Sequence, residues 1–300
     1  MKVLVTGATG FVGGHFVKRL IQENHEVHVL IRPTSNLSAF DDNADLVKVH
    51  RFNGSTDGMI DLVREANPDV VAHLAALYIG EHQSDDVENL VNSNLLFPVQ
   101  LAEAMSVNKV QKMINVGTSW QHFDDAEFNP VNLYAATKQA YRALLRYYVE
   151  TSETRIIHLE LFDTYGPDDH RGKLFSLLDS VRKSGDKIAM SPGEQRLDPV
   201  YIDDVIDAFM IALEQLNIES FDTTHSQETY SVCTGAPVSL RELVKVYEDV
   251  IGQSLDIEWG GREYRAREVM LPWSLGGTLP GWAPRISLVN GIRRTLQDDV

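Results

Sequence analysis

The chain has 300 residues, 43% hydrophobic and 23% charged, which is ordinary for a globular protein and excludes disordered and fibrous classes. Its 27 basic and 43 acidic residues give a formal net charge of -16, which argues against nucleic acid or an anionic membrane as partner, since both require a basic surface. Cys233 is the only cysteine, so we expect no internal disulfide and no metal site. Neither a basic leader nor a run of about 18 apolar residues occurs, so we expect no transmembrane helix and a cytoplasmic location.

Strand-like and helix-like runs alternate as far as residue 162, which predicts an α/β fold with a Rossmann-type doubly wound parallel sheet. The predicted strands cover 2–6, 26–31, 46–50, 69–74, 112–117 and 155–161. The predicted helices cover 11–22, 58–65, 84–105 and 132–151. Beyond residue 163 glycine and proline become frequent and the elements shorten, which predicts a first domain over 1–162 and a smaller C-terminal α/β lobe over 163–300. We expect residues 200–215 to return to the main sheet.

The first predicted strand runs into a glycine-rich turn that opens the first predicted helix. Gly7, Gly10 and Gly13 let the backbone turn tightly, approach a pyrophosphate and pack the helix against the sheet. Free N–H groups at the helix start attract phosphate. We therefore predict a dinucleotide site over this turn, formed by Gly7, Thr9, Gly10, Phe11, Val12 and Gly13.

The end of the second predicted strand bears on which dinucleotide binds. An acidic residue there binds the ribose hydroxyls of NAD(H), whereas an arginine suits the 2′-phosphate of NADP(H). Arg32 follows the strand, with Ser35 and Asn36 as neutral donors and no acidic residue at the junction. These residues favour NADP(H), and NAD(H) remains possible because Arg32 could also be a solvated arginine at the start of a loop.

Tyr134 and Lys138 have the i,i+4 spacing that places both side chains on one helix face. A free phenol has a pKa of about 10, and a cation one turn away, together with a positively charged oxidised nicotinamide, favours the phenolate and lowers that pKa. Tyr134 is therefore a candidate proton donor for carbonyl reduction. A hydroxyl pair, Thr118 and Ser119, ends the preceding strand. The alternative is a structural tyrosine beside a solvated lysine.

The order of these motifs resembles the extended short-chain dehydrogenase/reductase family, which includes nucleotide-sugar epimerases, dehydratases and ketoreductases, and the resemblance covers essentially all 300 residues. It implies a catalytic set of Thr118, Tyr134 and Lys138, with Ser119 as the alternative hydroxyl. It also implies that Lys138 holds the nicotinamide ribose. The small-residue turn beneath the pyrophosphate would be Leu74, Ala75 and Ala76.

The resemblance implies that the C-terminal lobe binds a nucleotide-sugar. Its diphosphate would meet Arg196 and either Arg265 or Arg267, although each arginine could instead form a surface salt bridge. Asp163 stands where relatives carry the asparagine of Arg-x-x-Asn-x-Tyr-Gly-Pro, and an ionised carboxylate cannot donate a hydrogen bond, so contacts there must differ. The predicted substrate-binding residues are Ser119, Asp163, Arg196, Tyr201, Arg265 and Arg267.

Two local patterns narrow the expected reaction. The family's 4,6-dehydratases follow the catalytic threonine with Asp-Glu, whereas Thr118 is followed by Ser119-Trp120, which argues against dehydration. The segment 162–166 resembles reductases that make abequose- and paratose-type deoxysugars on CDP. We therefore expect an NADPH-dependent reductase of a nucleotide-linked 4-keto-6-deoxyhexose in deoxysugar biosynthesis, with the nucleobase left open. The alternatives are an NAD-dependent nucleotide-sugar 4-epimerase and a non-catalytic NADP-sensing protein. Relatives often pair through two helices per subunit, which implies a homodimer.

Overall fold

The computed structural model of the chain describes residues 1–36, 40, 45–218 and 227–297. The strands are β1 (Lys2–Thr6), β2 (Glu26–Ile31), β3 (Val47–Arg51), β4 (Val70–His73), β5 (Lys112–Thr118), β6 (Arg155–Leu161), β7 (Asp163–Tyr165), β8 (Ile188–Met190), β9 (Arg196–Leu197), β10 (Pro199–Tyr201), β11 (Gln227–Val232), β12 (Val238–Ser239) and β13 (Ile257–Trp259). The α-helices are α1 (Phe11–Gln22), α2 (Thr56–Ala66), α3 (Val87–Val91), α4 (Phe97–Val107), α5 (Leu133–Thr151), α6 (Leu174–Ser184), α7 (Ile202–Asn217), α8 (Leu240–Ile251) and α9 (Leu288–Gln297).

The main sheet has seven strands within the described residues, all parallel, in the order β11-β6-β5-β4-β1-β2-β3. The strand order reverses between β1 and β4, and ligands of such sheets bind at the carboxyl ends of the strands beside that reversal. The predicted Rossmann-type doubly wound fold is therefore confirmed.

Both faces of the sheet are covered by amphipathic helices, which explains why its central strands are mainly apolar. In β1, Val3 and Val5 belong to one core and Leu4 to the core on the opposite face, and all three are fully buried. On the first face, Phe16 of α1 packs against Phe209 of α7 with ring centroids 5.1 Å apart.

The segment predicted as one helix over 84–105 is interrupted. It begins with a 3₁₀ turn at Ser84–Asp86, continues as α3, passes through a π-helical turn at Asn92–Leu96 and ends as α4. The buried Asn94 side chain accepts from the Leu77 N–H at 2.8 Å and donates to the Leu77 carbonyl and to the Thr137 hydroxyl. The π turn thus ties this helix to the turn after β4 and to α5.

Residues 200–215 differ from the expectation in their strand portion. The strand β10 pairs with β7 in a separate two-stranded sheet, because the chain leaves the main sheet after β6. Helix α7 does pack on β5, β6 and α1. The segment that rejoins the main sheet is β11, parallel to β6 at the edge. The division of the chain at residue 162 stays a prediction. Among the helices of the described residues, none is long and apolar enough to cross a membrane.

Candidate active site

The glycine turn after β1 lies directly against the turn after β4. Gly7 has a φ of +72°, and a Cβ on it would lie 2.6 Å from the Ala75 nitrogen. A Cβ on Gly13 would lie 2.1 Å from the Gly7 carbonyl oxygen. The Thr6 hydroxyl accepts from the Ala75 N–H at 3.2 Å and holds the two turns together. Side chains larger than hydrogen therefore do not fit at these two glycines.

This cradle suits the pyrophosphate of a dinucleotide. Helix α1 begins at Phe11 after Gly10, and no side chain of the described residues caps its first turn. The N–H groups of that turn are therefore available to an anionic group, which the helix dipole also favours. The predicted cofactor residues of the two turns lie together at the carboxyl end of β1 and β4, namely Gly7, Thr9, Gly10, Phe11, Val12, Gly13, Leu74, Ala75 and Ala76.

The other predicted cofactor residues lie at the end of the neighbouring strand β2. Arg32 follows this strand directly and is exposed, and its carbonyl accepts from the Ser35 N–H at 3.1 Å. Asn36 is the last residue described before a gap in the chain. The turn therefore presents a guanidinium and polar groups at the site expected for the adenosine ribose.

Lys138 is buried although it carries an ammonium group. It is 4% exposed, and burial lowers its pKa from 10.5 to about 8. Within the described residues it makes no ion pair with a carboxylate. Burial lowers the pKa values of His73 and His158 of the sheet, and the Lys138 charge lowers both further, after Arg142 in the case of His158, so both imidazoles are neutral. The alternative of a solvated lysine is wrong, because the ammonium is enclosed by the fold.

Tyr134 lies one helical turn before Lys138 on α5. Burial raises the pKa of its phenol, the neighbouring Tyr78 raises it further, and Arg171 lowers it. In the protein alone, loss of solvent therefore outweighs the effect of Arg171, and the lowering of this pKa expected from Lys138 together with an oxidised nicotinamide stays a prediction. A phenol with a raised pKa is neutral at pH 7 and carries the proton that a reduction consumes.

Thr118 ends β5 and begins a tight turn. Its hydroxyl oxygen accepts from the Trp120 N–H at 3.3 Å, and its own N–H donates to the Gln121 side-chain oxygen at 3.0 Å. The hydroxyl oxygen thus has a fixed partner while its hydrogen stays available for donation. Ser119, the alternative hydroxyl, also lies in this turn and lines the neighbouring cleft.

A cleft lies between the turn after β5, the end of β6 and the C-terminal lobe. Five of the predicted substrate residues line it: Ser119, Asp163, Arg196, Arg265 and Arg267. Tyr201 is the exception, because it does not line the cleft. Its ring is 4% exposed and packs edge-on against the Tyr165 ring with centroids 5.6 Å apart, so the predicted substrate contact is wrong. Tyr201 ends β10 in the core, directly before α7.

The three arginines of the cleft are held by different partners. Arg196 donates to the Pro237 carbonyl at 2.5 Å and 3.2 Å through two nitrogens. Arg265 lies 3.3 Å from the Glu81 carboxylate, as the salt-bridge alternative proposed. Arg267 donates to Asn129 at 2.6 Å and stacks over the Phe123 ring. Three cations in one cleft of a protein with net charge -16 concentrate attraction for an anionic ligand there.

Tyr78 and Lys173 approach this site from loops that carry no motif, and the sequence did not indicate them. The Lys173 ammonium lies 5.1 Å from the centroid of the Tyr78 ring, which itself packs edge-on against Tyr134 at 5.1 Å. Burial and then Arg171 lower the pKa of Lys173, while Asp163 raises it. Burial raises the pKa of Asp163, so this carboxyl holds its proton more readily than a solvated one.

Comparisons with known proteins give matches that span most of the chain. A model of the NAD dependent epimerase/dehydratase family matches residues 3–230. The chain is 29% identical over 275 residues to a CDP-abequose synthase of Yersinia pseudotuberculosis, covering 91% of this chain and 92% of that protein. It is 27% identical over 327 residues to a UDP-glucose 4-epimerase of Mycolicibacterium smegmatis, covering 99% and 98%.

Solved structures share the fold along the whole chain. The UDP-glucuronic acid 4-epimerase from Bacillus cereus, in complex with UDP-glucuronic acid and NAD, superposes with a TM-score of 0.85 at 23% identity and covers 100% of both chains. The UDP-glucose 4-epimerase of Thermotoga maritima with UDP-glucose has a TM-score of 0.85 at 21% identity, covering 99% and 98%.

Proposed function

Because the chain belongs to the NAD dependent epimerase/dehydratase family, we propose that it is an NADPH-dependent reductase of a nucleotide-linked 4-keto-6-deoxyhexose. Deoxysugar biosynthesis is the setting in which such a product is used. The relatives named CDP-abequose synthase support this choice, since three of them match over at least 91% of the chain.

The observation that carries the proposal is the burial of Lys138 beside Tyr134. Burying an ammonium without a carboxylate partner costs free energy, and such groups persist mainly where function needs them. A protein that only sensed NADP would have no use for a proton donor and an enclosed cation on adjacent helical turns. This arrangement therefore supports an enzyme rather than a sensor.

The proposed roles follow from the positions of the side chains. When bound in the cradle, the nicotinamide cofactor supplies the hydride. Tyr134 protonates the carbonyl oxygen, and Thr118 donates a hydrogen bond to the same oxygen and orients it. Lys138 holds the nicotinamide ribose, and its charge favours the phenolate that remains after proton transfer.

The preference for NADPH rests on Arg32. Its guanidinium follows β2 without an acidic neighbour at the junction, and a guanidinium pairs well with a 2′-phosphate. The substrate's diphosphate is assigned to Arg196 and Arg265 in the cleft, with Arg267 beside them. Ser119 and Asp163 line the same cleft and would contact the sugar.

A nucleotide-sugar 4-epimerase is the second candidate, because the epimerase of Mycolicibacterium smegmatis is 27% identical over nearly the whole chain. It would use the same Tyr134 and Thr118 with tightly held NAD and no net redox change. Arg32 argues against it, since tight NAD binding favours an acidic residue at that position.

Cofactor choice tests the proposal. The purified protein is analysed for bound nucleotide, and consumption of NADPH and NADH is followed with a panel of nucleotide-linked 4-keto-6-deoxyhexoses. We expect NADPH oxidation with at least one member, which also identifies the nucleobase. Copurified NAD without net consumption, together with interconversion of 4-epimers, would overturn the reductase in favour of the epimerase.

The proposed assembly is a homodimer formed through the helices of one sheet face. Apolar side chains are exposed on α3, the π turn and α5, namely Val87, Val91, Leu96, Leu144 and Tyr147. A second copy of the chain would cover them. Light scattering should give twice the chain mass for the wild type and a monomer for Tyr147→Glu, whereas a monomeric wild type would contradict the dimer.

A further inference from the structure

A buried ionic network joins the turn that carries Thr118 to the helix that carries Tyr134 and Lys138. Its centre is Glu160 of β6, which is fully buried. One carboxylate oxygen accepts from Arg142 of α5 at 3.0 Å, and the other lies 3.0 Å from His122 Nε2. The predicted reaction gives none of these three residues a role.

The network is built against the strand end that precedes Thr118. Glu160 pairs in register with Gly117, and a Cβ on Gly117 would lie 2.8 Å from the Glu160 Cγ. The absence of a side chain at Gly117 therefore makes room for the carboxylate. Arg142 follows Lys138 by four residues and Tyr134 by eight, so all three lie along one face of α5.

His122 is held on three sides. Its Nδ1 lies 3.1 Å from the Ala126 carbonyl, and its Nε2 faces Glu160. Both partners are acceptors, so both bonds are made only when the ring carries two protons. Burial opposes that charge, but the Glu160 hydrogen bond and carboxylate charge outweigh burial and raise the His122 pKa above its ordinary value, while Arg142 lowers it. The ring also stacks on Trp273, a cleft-lining side chain, at 3.8 Å.

A second bridge runs parallel to the first. Gln121 is 1% exposed, and its side-chain oxygen accepts from the Thr118 N–H while its nitrogen donates to Gln139 at 2.7 Å. Gln139 directly follows Lys138 on α5. The catalytic hydroxyl and the Tyr-Lys pair lie on different elements, and these two bridges fix one element against the other.

We propose that Glu160 and His122 are positioning residues, which hold the Thr118 turn and the Trp273 wall of the cleft in register with Tyr134 and Lys138. This inference rests on the proposed function, which names the reaction that these two residues would support. It also applies to the epimerase, since both reactions need the hydroxyl and the phenol on one oxygen. A displacement of about 1 Å at such a site can cost about 100-fold in rate.

The sign of the pH dependence follows from the charges that face His122, which are the Glu160 carboxylate on β6 and the Arg142 guanidinium on α5. Below the raised pKa of His122, the imidazolium donates to Glu160. As the pH rises through that pKa, the ring loses one proton and can donate to only one of its two acceptors, the Ala126 carbonyl or the Glu160 carboxylate. The turn then loses one of its two tethers through His122, so kcat should fall on the alkaline side.

Three variants test the proposal in whichever of the two reactions the wild type performs. Glu160→Gln places an amide against the donors of Arg142 and His122, and His122→Gln keeps a donor but cannot titrate. Glu150→Gln is the matched control, since Glu150 pairs with Arg146 on the exposed side of the same helix. Each variant is compared in kcat, KM, NADPH affinity and pH profile.

We expect Glu160→Gln to lower kcat at least tenfold, with NADPH affinity within about threefold of wild type because β6, which carries Glu160, lies three strands away from β1, which ends at the cradle. We expect kcat of His122→Gln to fall only near and above pH 8, where Lys138 loses its proton, and Glu150→Gln to match the wild type. Unchanged kcat in Glu160→Gln, or an alkaline fall in His122→Gln identical to that of the wild type, would overturn the proposal. If Glu160→Gln does not fold, His122→Gln decides.

A crystal structure of Glu160→Gln, which cannot accept from both Arg142 and His122 as the carboxylate does, gives a readout that does not depend on turnover. The Thr118 to Gln121 turn should shift relative to α5, and an unmoved turn would overturn the proposal. A wild type that consumes no NADPH would instead refute the proposed reductase and leave this structural test valid.

Discussion

Replacing the buried Lys138 with methionine should make the protein more stable and less active at once. The lysine ammonium is enclosed without a carboxylate partner in the described residues, whereas a methionine of similar length buries the same stem without charge. The pKa falls from 10.5 to about 8, which corresponds to a cost of about 3 kcal/mol at neutral pH, at about 1.36 kcal/mol for each pKa unit.

The sign of this effect depends on pH in a defined way. The folded state gives up the Lys138 proton near pH 8 and the unfolded state near pH 10.5, so the unfolded state binds more protons between these values. The destabilisation is therefore present in full below about pH 8 and disappears as the pH rises towards 10.5. The stability difference between variant and wild type should shrink over the same range.

Urea denaturation followed by tryptophan fluorescence measures the difference directly. At pH 7 the free energy of unfolding of Lys138→Met should exceed that of the wild type by up to about 3 kcal/mol, with turnover lost. Lys245→Met removes an exposed lysine of α8 and should change neither quantity appreciably. A less stable Lys138→Met protein would refute the view that this charge is strained by burial, and retained turnover would refute its catalytic assignment.

Three further substitutions test other parts of the site. Tyr134→Phe should lower turnover by about 10²- to 10⁴-fold while leaving NADPH affinity unchanged by fluorescence titration, and near-normal turnover would contradict the mechanism. Arg32→Ala should weaken NADPH binding by about 10- to 100-fold and spare NADH, so equal losses for both cofactors would contradict the 2′-phosphate assignment. Gly13→Ala should lower both the melting temperature and NADPH affinity, because the new Cβ would lie 2.1 Å from the Gly7 oxygen. Gly14→Ala is the control and should be tolerated, because its Cβ would lie 3.7 Å from the nearest atom, the Ala8 oxygen. Equal behaviour of the two variants would refute the steric argument.

The features that sequence predicted correctly depend on contacts between near neighbours in the chain. Gly7 and Gly13 are separated by one turn and a helix start, and the requirement for glycine at both follows from that local geometry. The central strands were recognisable because burial on both faces favours runs of apolar residues, as at Val3, Leu4 and Val5 of β1. The i,i+4 spacing of Tyr134 and Lys138 likewise follows from a single helix.

The features that sequence missed depend on residues far apart in the chain. Asn94 interrupts its helix because it binds the backbone at Leu77 and the Thr137 side chain, and neither partner is visible in the local pattern. Tyr201 belongs to a segment that resembles a substrate-binding motif, but the packing of Tyr165 places it in the core. The raised pKa of Tyr134 also depends on tertiary burial and on Tyr78.

Glu160 shows how one substitution in a shared pattern escapes a motif search. It occupies the arginine position of the Arg-x-x-Asn-x-Tyr-Gly-Pro pattern of relatives. The local sequence, a polar residue within a predicted strand, indicates no role for it. Its importance emerges only when Arg142 and His122 are seen to meet it from two other elements.

The position of β11 in the main sheet has a consequence for how the chain folds during synthesis. β11 adds to the free edge of β6, and all of β7 to α7 lie between these two strands in sequence. When β6 has just left the ribosome, the nascent chain therefore exposes the edge of β6, because the partner strand β11 has not yet been synthesised. Such an unpaired edge can pair with other chains until β11 covers it. The main sheet is therefore completed only after β7 to α7 have been synthesised, because its edge strand β11 follows them in the chain.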